Sequence, residues 1–191
     1  MCAKLKRGRD ALAGNNRPVR ARAKETRAIM ERLQEGLAGI TLRPATPDDD
    51  TFQLELYTAI RLDEFGLIDW NEDQKQALIK MQFNARQLQY RYRHPHADDN
   101  LIVRGSQPIG RILVDRNEKQ IVLVDIGLLP DHRNAGIGTR LVQSLLDEAA
   151  GTGKSVRLHV VTTNPAVRLY QRLGFSTVDD NGIYLEMNWA G

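Results

Sequence analysis

Apolar positions change their spacing along this chain, and the changes divide it into elements. From Gly39 the stretch GITLRPA reads as a short strand. A helix follows through FQLELYTAIRLDEF; Thr46 is placed to cap it, Pro47 suits its first position, and Asp48 and Asp49 complement its dipole. After GLIDWNED, Leu78, Met81, Ala85, Leu88 and Tyr92 recur every three or four residues and mark a second helix, which His94, Pro95 and His96 end. The stretch NLIVRGSQPIGRILVDRNEKQIVLVDIGLLP then reads as three successive strands. The short turns GSQP and RNEK join them, so they pair antiparallel.

Beyond Pro130 the order changes. A glycine-rich turn leads into a helix over about residues 136–150, with Ile137, Leu141, Val142, Leu145, Leu146 and Ala149 on one face that is expected to pack on a sheet. A strand, SVRLHVV, and a short helix follow. Asn164 is placed to cap that helix, Pro165 to begin it, and Gly174 to take the left-handed position after it. Two closing strands lie around FSTVDD and IYLEMNW. The pattern predicts one mixed α/β or α+β domain of about seven strands and four helices, without internal repeats.

Charge divides the chain differently. Its net charge is +3, which by itself would suggest an anionic partner. Residues 1–32 hold ten Lys/Arg and three Asp/Glu, leaving 17 against 21 for the remainder, a net of −4. The basicity belongs to an extension, residues 1–38, and the domain at 39–191 is mildly acidic. Within the extension residues 1–24 lack apolar periodicity and read as a disordered arm. Ile29, Met30, Leu33 and Leu37 repeat at helical spacing and read as a short amphipathic helix. That helix is expected to pack on the domain or on a second subunit, which leaves a homodimer open. A nucleic-acid partner is not expected, because the arm lacks interleaved aromatic residues.

One cysteine, Cys2, excludes a disulfide framework within the chain. His94, His96, His132 and His159 form no metal-ligand spacing with carboxylates, so no metal is expected. No apolar run reaches the roughly 20 residues of a membrane span, and no secretory signal is evident. A cytoplasmic, membrane-free protein is the expectation.

Candidate chemistry centres on RNAGIGTRL, residues 133–141. A helix start presents unsatisfied N–H groups and about half a positive charge, an environment that attracts phosphate oxygens. Gly136 and Gly138 would let the main chain approach a diphosphate, and Arg133 would add a charge-assisted contact. The plainer alternative is a tight turn with no ligand. A P-loop is excluded because Thr139 and Arg140, rather than Lys and Ser/Thr, follow Gly138. The dinucleotide fingerprint is excluded because Leu141 stands where its third glycine belongs.

The stretches LLPDHRNAGIGTRLVQSLLDEA and NPAVRLYQRLGF together resemble the GNAT family of acyl-CoA-dependent N-acyltransferases. The family's glycine motif, (R/Q)xxGxG/A, corresponds to Arg133, Asn134, Ala135, Gly136, Ile137 and Gly138. Its recurrent Asn, Tyr and LGF correspond to Asn164, Tyr170 and Leu173 to Phe175. The resemblance covers residues 40–189 and is strongest over 121–175. It implies a mixed sheet whose central strands, IVLVDIGLLP and SVRLHVV, splay apart to receive acetyl-CoA as cosubstrate. The pantetheine arm would follow the main chain near Leu128 and Leu129, and the diphosphate would sit on amides from Arg133 to Thr139. Asn164 would position the cosubstrate and Tyr170 would protonate the departing thiolate; the plain alternative for Tyr170 is core packing.

The chain offers no credible covalent nucleophile near such a site, so direct transfer to a primary amine is expected. A lysine-like amine, with a pKa of about 10.4, must lose a proton before attack. The family often places a Glu on the strand before the glycine turn, but Val122 and Val124 stand there. The base is therefore open among Asp125, His159, Asp63 and Glu64. By the same resemblance Arg61, Asp63, Glu64, Phe65 and Trp70 would line the acceptor pocket. Two other classes compete with an enzyme: a non-catalytic acyl-CoA sensor and a protein tethered to nucleic acid by its arm.

Overall fold

A computed structural model of the chain describes residues 39–65 and 71–191, and the side chains of all of these except 62–65. The basic extension, its amphipathic stretch and Trp70 lie outside these residues, as do the side chains of Asp63, Glu64 and Phe65. Seven strands form one sheet: β1 (Ile40–Pro44), β2 (Asp98–Arg104), β3 (Gln107–Arg116), β4 (Gln120–Leu128), β5 (Ser155–Val161), β6 (Ser176–Asp180) and β7 (Tyr184–Trp189). Their order is β1-β2-β3-β4-β5-β7-β6. The helices are α1 (Asp50–Phe65), α2 (Glu72–Arg93), α3 (Ile137–Thr152) and α4 (Ala166–Arg172).

Short connections decide the pairing. β2, β3 and β4 are joined by short turns in antiparallel order, and at the β3–β4 turn the Asn117 carboxamide oxygen accepts the N–H groups of Lys119 and Gln120; β1 pairs antiparallel with β2 after a long connection through α1 and α2. Between β4 and β5 the chain crosses over through α3, and there the strands are parallel. That parallel pairing is brief: Gln120 to Leu123 lie against Ser155 to Leu158, after which β4 runs on to Leu128 and β5 to Val161 without each other. A gap opens at the centre of the sheet.

One face of the sheet carries the main core. Ile137, Leu141, Val142, Leu145, Leu146 and Ala149 of α3, the predicted stripe, are all buried against Ile121, Leu123, Val156, Leu158 and Met187, with Tyr170 and Phe175 from the α4 region. On the opposite face a smaller cluster of Tyr57, Ile79 and Phe83 joins α1 to α2. Thr46 and Asp49 form a capping box around a single 3₁₀ turn, Pro47–Asp49, which leads into α1. Arg43 grips the same Asp49 through both carboxylate oxygens, at 2.7 and 2.8 Å, and its hydrogen bonds hold that carboxyl well below the usual range.

The second helix forms where its apolar period marks it, yet the marked stripe is its outer surface. Met81, Leu88 and Tyr92 are 61%, 63% and 88% exposed. The inner surface is instead Ile79, Phe83, Arg86, Gln87 and Tyr90, a mixture of apolar and polar side chains. An apolar stripe ordinarily faces its own core; here the polar partners of the sheet decide which face turns inward.

Candidate active site

The glycine turn divides two tasks between its glycines. Gly136 caps α3 at φ 78°, a left-handed conformation that glycine adopts without a steric penalty. Asn134, at φ 61°, is the one non-glycine residue with positive φ among those described, and Asn is among the side chains that tolerate it. Gly138 lies in the first turn with no such constraint; a Cβ built there meets nothing within 4 Å. The space in front of Gly138 is thus open for a ligand. The first main-chain bond into the helix runs from the Arg140 N–H to the Gly136 carbonyl, at 3.0 Å, so the amides of Ile137, Gly138 and Thr139 belong to the unsatisfied set at a helix start.

Arg133 turns back toward the sheet, donating from Nε to the Leu128 carbonyl at 3.0 Å. Leu129 differs from expectation: its N–H is committed to Ile109 at 2.9 Å, and its carbonyl accepts the His132 N–H at 3.0 Å. Alternation along a strand then turns the Leu128 N–H away from β3 and toward the gap. Of the two leucines, Leu128 is the one whose N–H lines the opening.

Across the gap, the Asn164 side chain accepts the Ala166 N–H at 2.8 Å and starts α4, a cap displaced by one residue from the predicted helix boundary. Gly174 takes φ 89° after its end. Tyr170 lies on the inner side of this helix, 5% exposed, with its ring edge against Phe175 at 5.7 Å between centroids. Burial, and then the negative charge of Asp125, push its hydroxyl up to about 12. The phenol is therefore a proton carrier throughout the neutral range.

Asp125 reaches the opposite face through an irregularity that the sequence does not announce. Leu113 pairs with Asp125 and Val114 with Leu123, so Val124 is an extra residue in β4, a β-bulge. Ile121 and Leu123 point into the main core; after the bulge Ile126 and Leu128 do so, and Asp125 and Gly127 point toward α1 and α2. There Arg86 binds the Asp125 carboxylate at 2.8 Å, and Arg111 stands 4.0 Å from its other oxygen. Burial alone would lower the Arg86 pKa, and Asp125 and Tyr90 more than reverse this. The Arg86 guanidinium also lies over the rings of Tyr57 and Tyr90, at 5.5 and 5.1 Å.

The network continues outward. Arg111 grips Asp99 through two bonds of 2.7 Å and donates to Gln87 at 2.9 Å, and Gln87 donates to Gln53. Beyond it, between the start of α1 and the end of α2, lies a cleft of about 550 Å³ lined by Asp50, Gln53, Tyr90, Arg91 and His94. Its size suits a small ligand, but among the described residues none of the catalytic, cosubstrate or acceptor candidates read from the sequence lines it.

His159 stands just past the last β4–β5 pair, on the face opposite the main core and about half exposed. Its Nε2 is 3.2 Å from Glu186 of β7, which also pairs with Arg157. Arg61 donates to the Tyr57 hydroxyl at 3.1 Å and stacks over its ring.

Leu128 and Asp125 on β4 and His159 on β5 thus lie beyond the last pair that the two strands share, and Tyr170 feels the charge of Asp125. The structure adds Arg86, Arg111 and Glu186, which the sequence reading passed over. A signal for Glu186 exists, since β-alternation pairs it with His159 across β7 and β5. A signal for Arg86 exists only in the four-residue recurrence of Ile79, Phe83 and Tyr90 with it, which polar residues obscure. Among the described residues no group of three His, Cys, Asp or Glu side chains could hold a metal ion, and no helix is long and apolar enough to cross a membrane.

Comparison with known proteins agrees with this fold. The model of the acetyltransferase (GNAT) family matches residues 58–175, more than half of the chain. N-alpha-acetyltransferase 50 of Danio rerio is 31% identical over 77 residues, covering 39% of this chain and 46% of that protein. Cysteine-rich protein 2-binding protein of Mus musculus is 46% identical over 48 residues, covering 25% of this chain and 6% of that one. The chain spans less than half the length of these curated relatives. Among solved structures, the PaiA N-acetyltransferase of Thermoplasma acidophilum in complex with coenzyme A superposes with a TM-score of 0.62 at 18% identity, over 80% of this chain and 99% of that one. Arabidopsis thaliana Naa50 with a bisubstrate analogue gives 0.54 at 17% identity, over 81% and 100%. At these identities the likeness is one of fold.

Proposed function

Because the chain belongs to the acetyltransferase (GNAT) family, we propose that it moves an acetyl group from acetyl-CoA directly to a primary amine. The observation that carries this reading is the opening between β4 and β5. The unsatisfied amides and the open side of Gly138, at the start of α3, follow β4 along the chain, and the buried Tyr170, on α4, follows β5. Acetyl-CoA would supply the acyl group as a thioester. Its diphosphate would lie on the amides of Ile137, Gly138 and Thr139, and its pantetheine arm along Leu128.

His159 is the base we favour. Asp125 is committed to Arg86 at 2.8 Å, whereas His159 is half exposed, at the mouth of the gap, and oriented by Glu186. In the direct step the amine nitrogen bonds to the acyl carbon, the carbon–sulfur bond breaks, and the nitrogen's proton passes to His159 directly or through a water. Tyr170 serves the departing sulfur as general acid. A phenol near 12 faces a thiol of about 8.5, so full proton transfer to the departed thiolate would be uphill by roughly 5 kcal/mol. Tyr170 therefore shares its proton with the sulfur as the carbon–sulfur bond breaks; any tyrosinate so formed is reprotonated by the proton that His159 took from the amine, and free CoA leaves as the thiol.

The relatives named N-alpha-acetyltransferase 50 suggest which amine to try first. A peptide α-amine, with a pKa of about 7.7–8.0, is partly neutral at physiological pH and asks less of the base than a lysine side chain. The test is a panel of α-amines, lysine peptides and small amines, with acetyl-CoA and a readout of free CoA. Turnover with at least one amine supports the proposal. Acetyl-CoA binding without turnover on any amine would favour a sensor.

A further inference from the structure

We propose that the outer face of α2 is the docking surface for a second copy of this chain, helix against helix in antiparallel order. Leu78, Met81, Ala85, Leu88 and Tyr92 are spaced by three, four, three and four residues, which is the a and d spacing of a coiled-coil seam. Leu78 is half-buried, and from Met81 onward the seam faces solvent, with Met81 61%, Leu88 63% and Tyr92 88% exposed. The inner side of the same helix is already occupied by Ile79 and Phe83 against Tyr57 and by Arg86 against Asp125. The helix therefore has two faces suited to packing, and its own subunit covers one.

Several features identify the occupant as another copy. The seam is nearly symmetric about Ala85. With that small residue at a twofold axis, Leu78 of one helix lies level with Tyr92 of the other, and Met81 lies close to Leu88. Charge agrees with this direction, because Glu72 and Asp73 open the helix and Arg91 and Arg93 close it. An antiparallel pair sets Arg93 within about 6–8 Å, and Arg91 within about 9–11 Å, along the axis, of the other's acidic start, and opposes the two helix dipoles. Gln82, Asn84 and Gln89 beside the seam are uncharged, so self-pairing meets no row of like charges there.

Size sets the strength. The 22 residues of α2 span about 33 Å, and a strip about 10 Å wide covers about 330 Å². This is below the ~800 Å² per partner of a standard interface, so the dimer is a concentration-dependent one. It also bears on the site, since pinning α2 from outside holds Arg86 on Asp125.

Sedimentation equilibrium of the full chain, from about 1 to 100 µM, tests the proposal. The wild type is expected to shift reversibly from monomer toward dimer, and Met81→Lys with Leu88→Lys to remain monomeric at an unchanged dilute-limit Tm. Charge reversal tests the direction. Arg91→Glu with Arg93→Glu, and separately Glu72→Lys with Asp73→Lys, are each expected to weaken self-association about tenfold. An equimolar mixture of the two variants is expected to recover it as a heterodimer. A wild type monomeric at 100 µM, a dimer unaffected by the lysine pair, or a mixture no tighter than its components would each overturn the proposal. So would a monomer that dimerises only when residues 1–38 are removed, which would make the chain's own extension the occupant.

Discussion

The two faces of the central sheet are held by different physics. Under α3 and α4 the contacts are apolar: Leu141, Leu145 and Leu146 lie on Ile121, Leu123 and Val156, and any side chain of similar shape would serve. Under α1 and α2 the middle of the sheet carries Asp99, Arg111 and Asp125, and the helices answer with Arg86 and Gln87. Hydrophobic contact is non-directional and tolerant, whereas each of these ion pairs requires one particular partner. The candidate site lies where the faces meet. Tyr170 comes from the apolar side and carries the charge of Asp125 in its raised pKa, while His159 comes from the polar side.

The sharpest way to separate the contributions is to remove the one hydroxyl they share. Tyr170→Phe keeps the ring and its contact with Phe175, so Tm and acetyl-CoA affinity should stay near wild type while kcat falls by about 10²–10⁴, the usual range for general acid catalysis. Wild-type turnover would return Tyr170 to a packing role. Gly138→Asp acts at the end of the apolar face. It sets a carboxylate into the space left for the diphosphate, and calorimetry should show acetyl-CoA affinity lower by about 10²-fold, with the fold intact.

The polar face is broken by Arg86→Met, which leaves Asp125 without its closest cation. Losing one partner of a buried pair costs about 3–5 kcal/mol; the Arg86 side chain keeps 34% of its exposure, so about 2–3 kcal/mol is expected here in denaturant unfolding. Adding Asp125→Asn should recover most of this, because the uncompensated charge is then gone. Failure of that rescue would show Arg86 to act through packing on Tyr57 and Tyr90.

Alkaline pH gives a smaller test. Tyr170 and Tyr90 are both pushed up to about 12 in the folded chain, chiefly by burial, against about 10 unfolded. A raised folded pKa means that the native state holds its proton more tightly. This stabilisation is complete below about pH 10 and is lost as pH rises toward 12. Unfolding free energy should therefore fall over that window, and less steeply in Tyr170→Phe. The smallest effect is expected from deleting residues 1–24, which carry no apolar periodicity. Tm and acetyl-CoA affinity should be nearly unchanged, and a large loss of stability would mark the arm as integral.

What the sequence by itself determined follows from local rules. The strand order from β2 to β4 was legible because turns such as RNEK are too short for a crossover. The buried face of α3 was legible because its leucines repeat at one period and nothing polar competes for that face. The start of α3 was legible because glycine is the residue that takes the left-handed position before a helix without penalty, as Gly136 does. Tertiary structure alone decided the rest. The extra residue at Val124 turns Asp125 from one face of β4 to the other, and alternation counted along the strand cannot foresee a bulge whose partner is Leu113. The inward side of α2 was set by Arg86 reaching Asp125, 39 positions away, so the apolar stripe that marked the helix became its outer surface. Periodicity records where apolar side chains line up. Which aligned face is buried depends on the charges waiting on the sheet, and those are brought together only when the chain has folded.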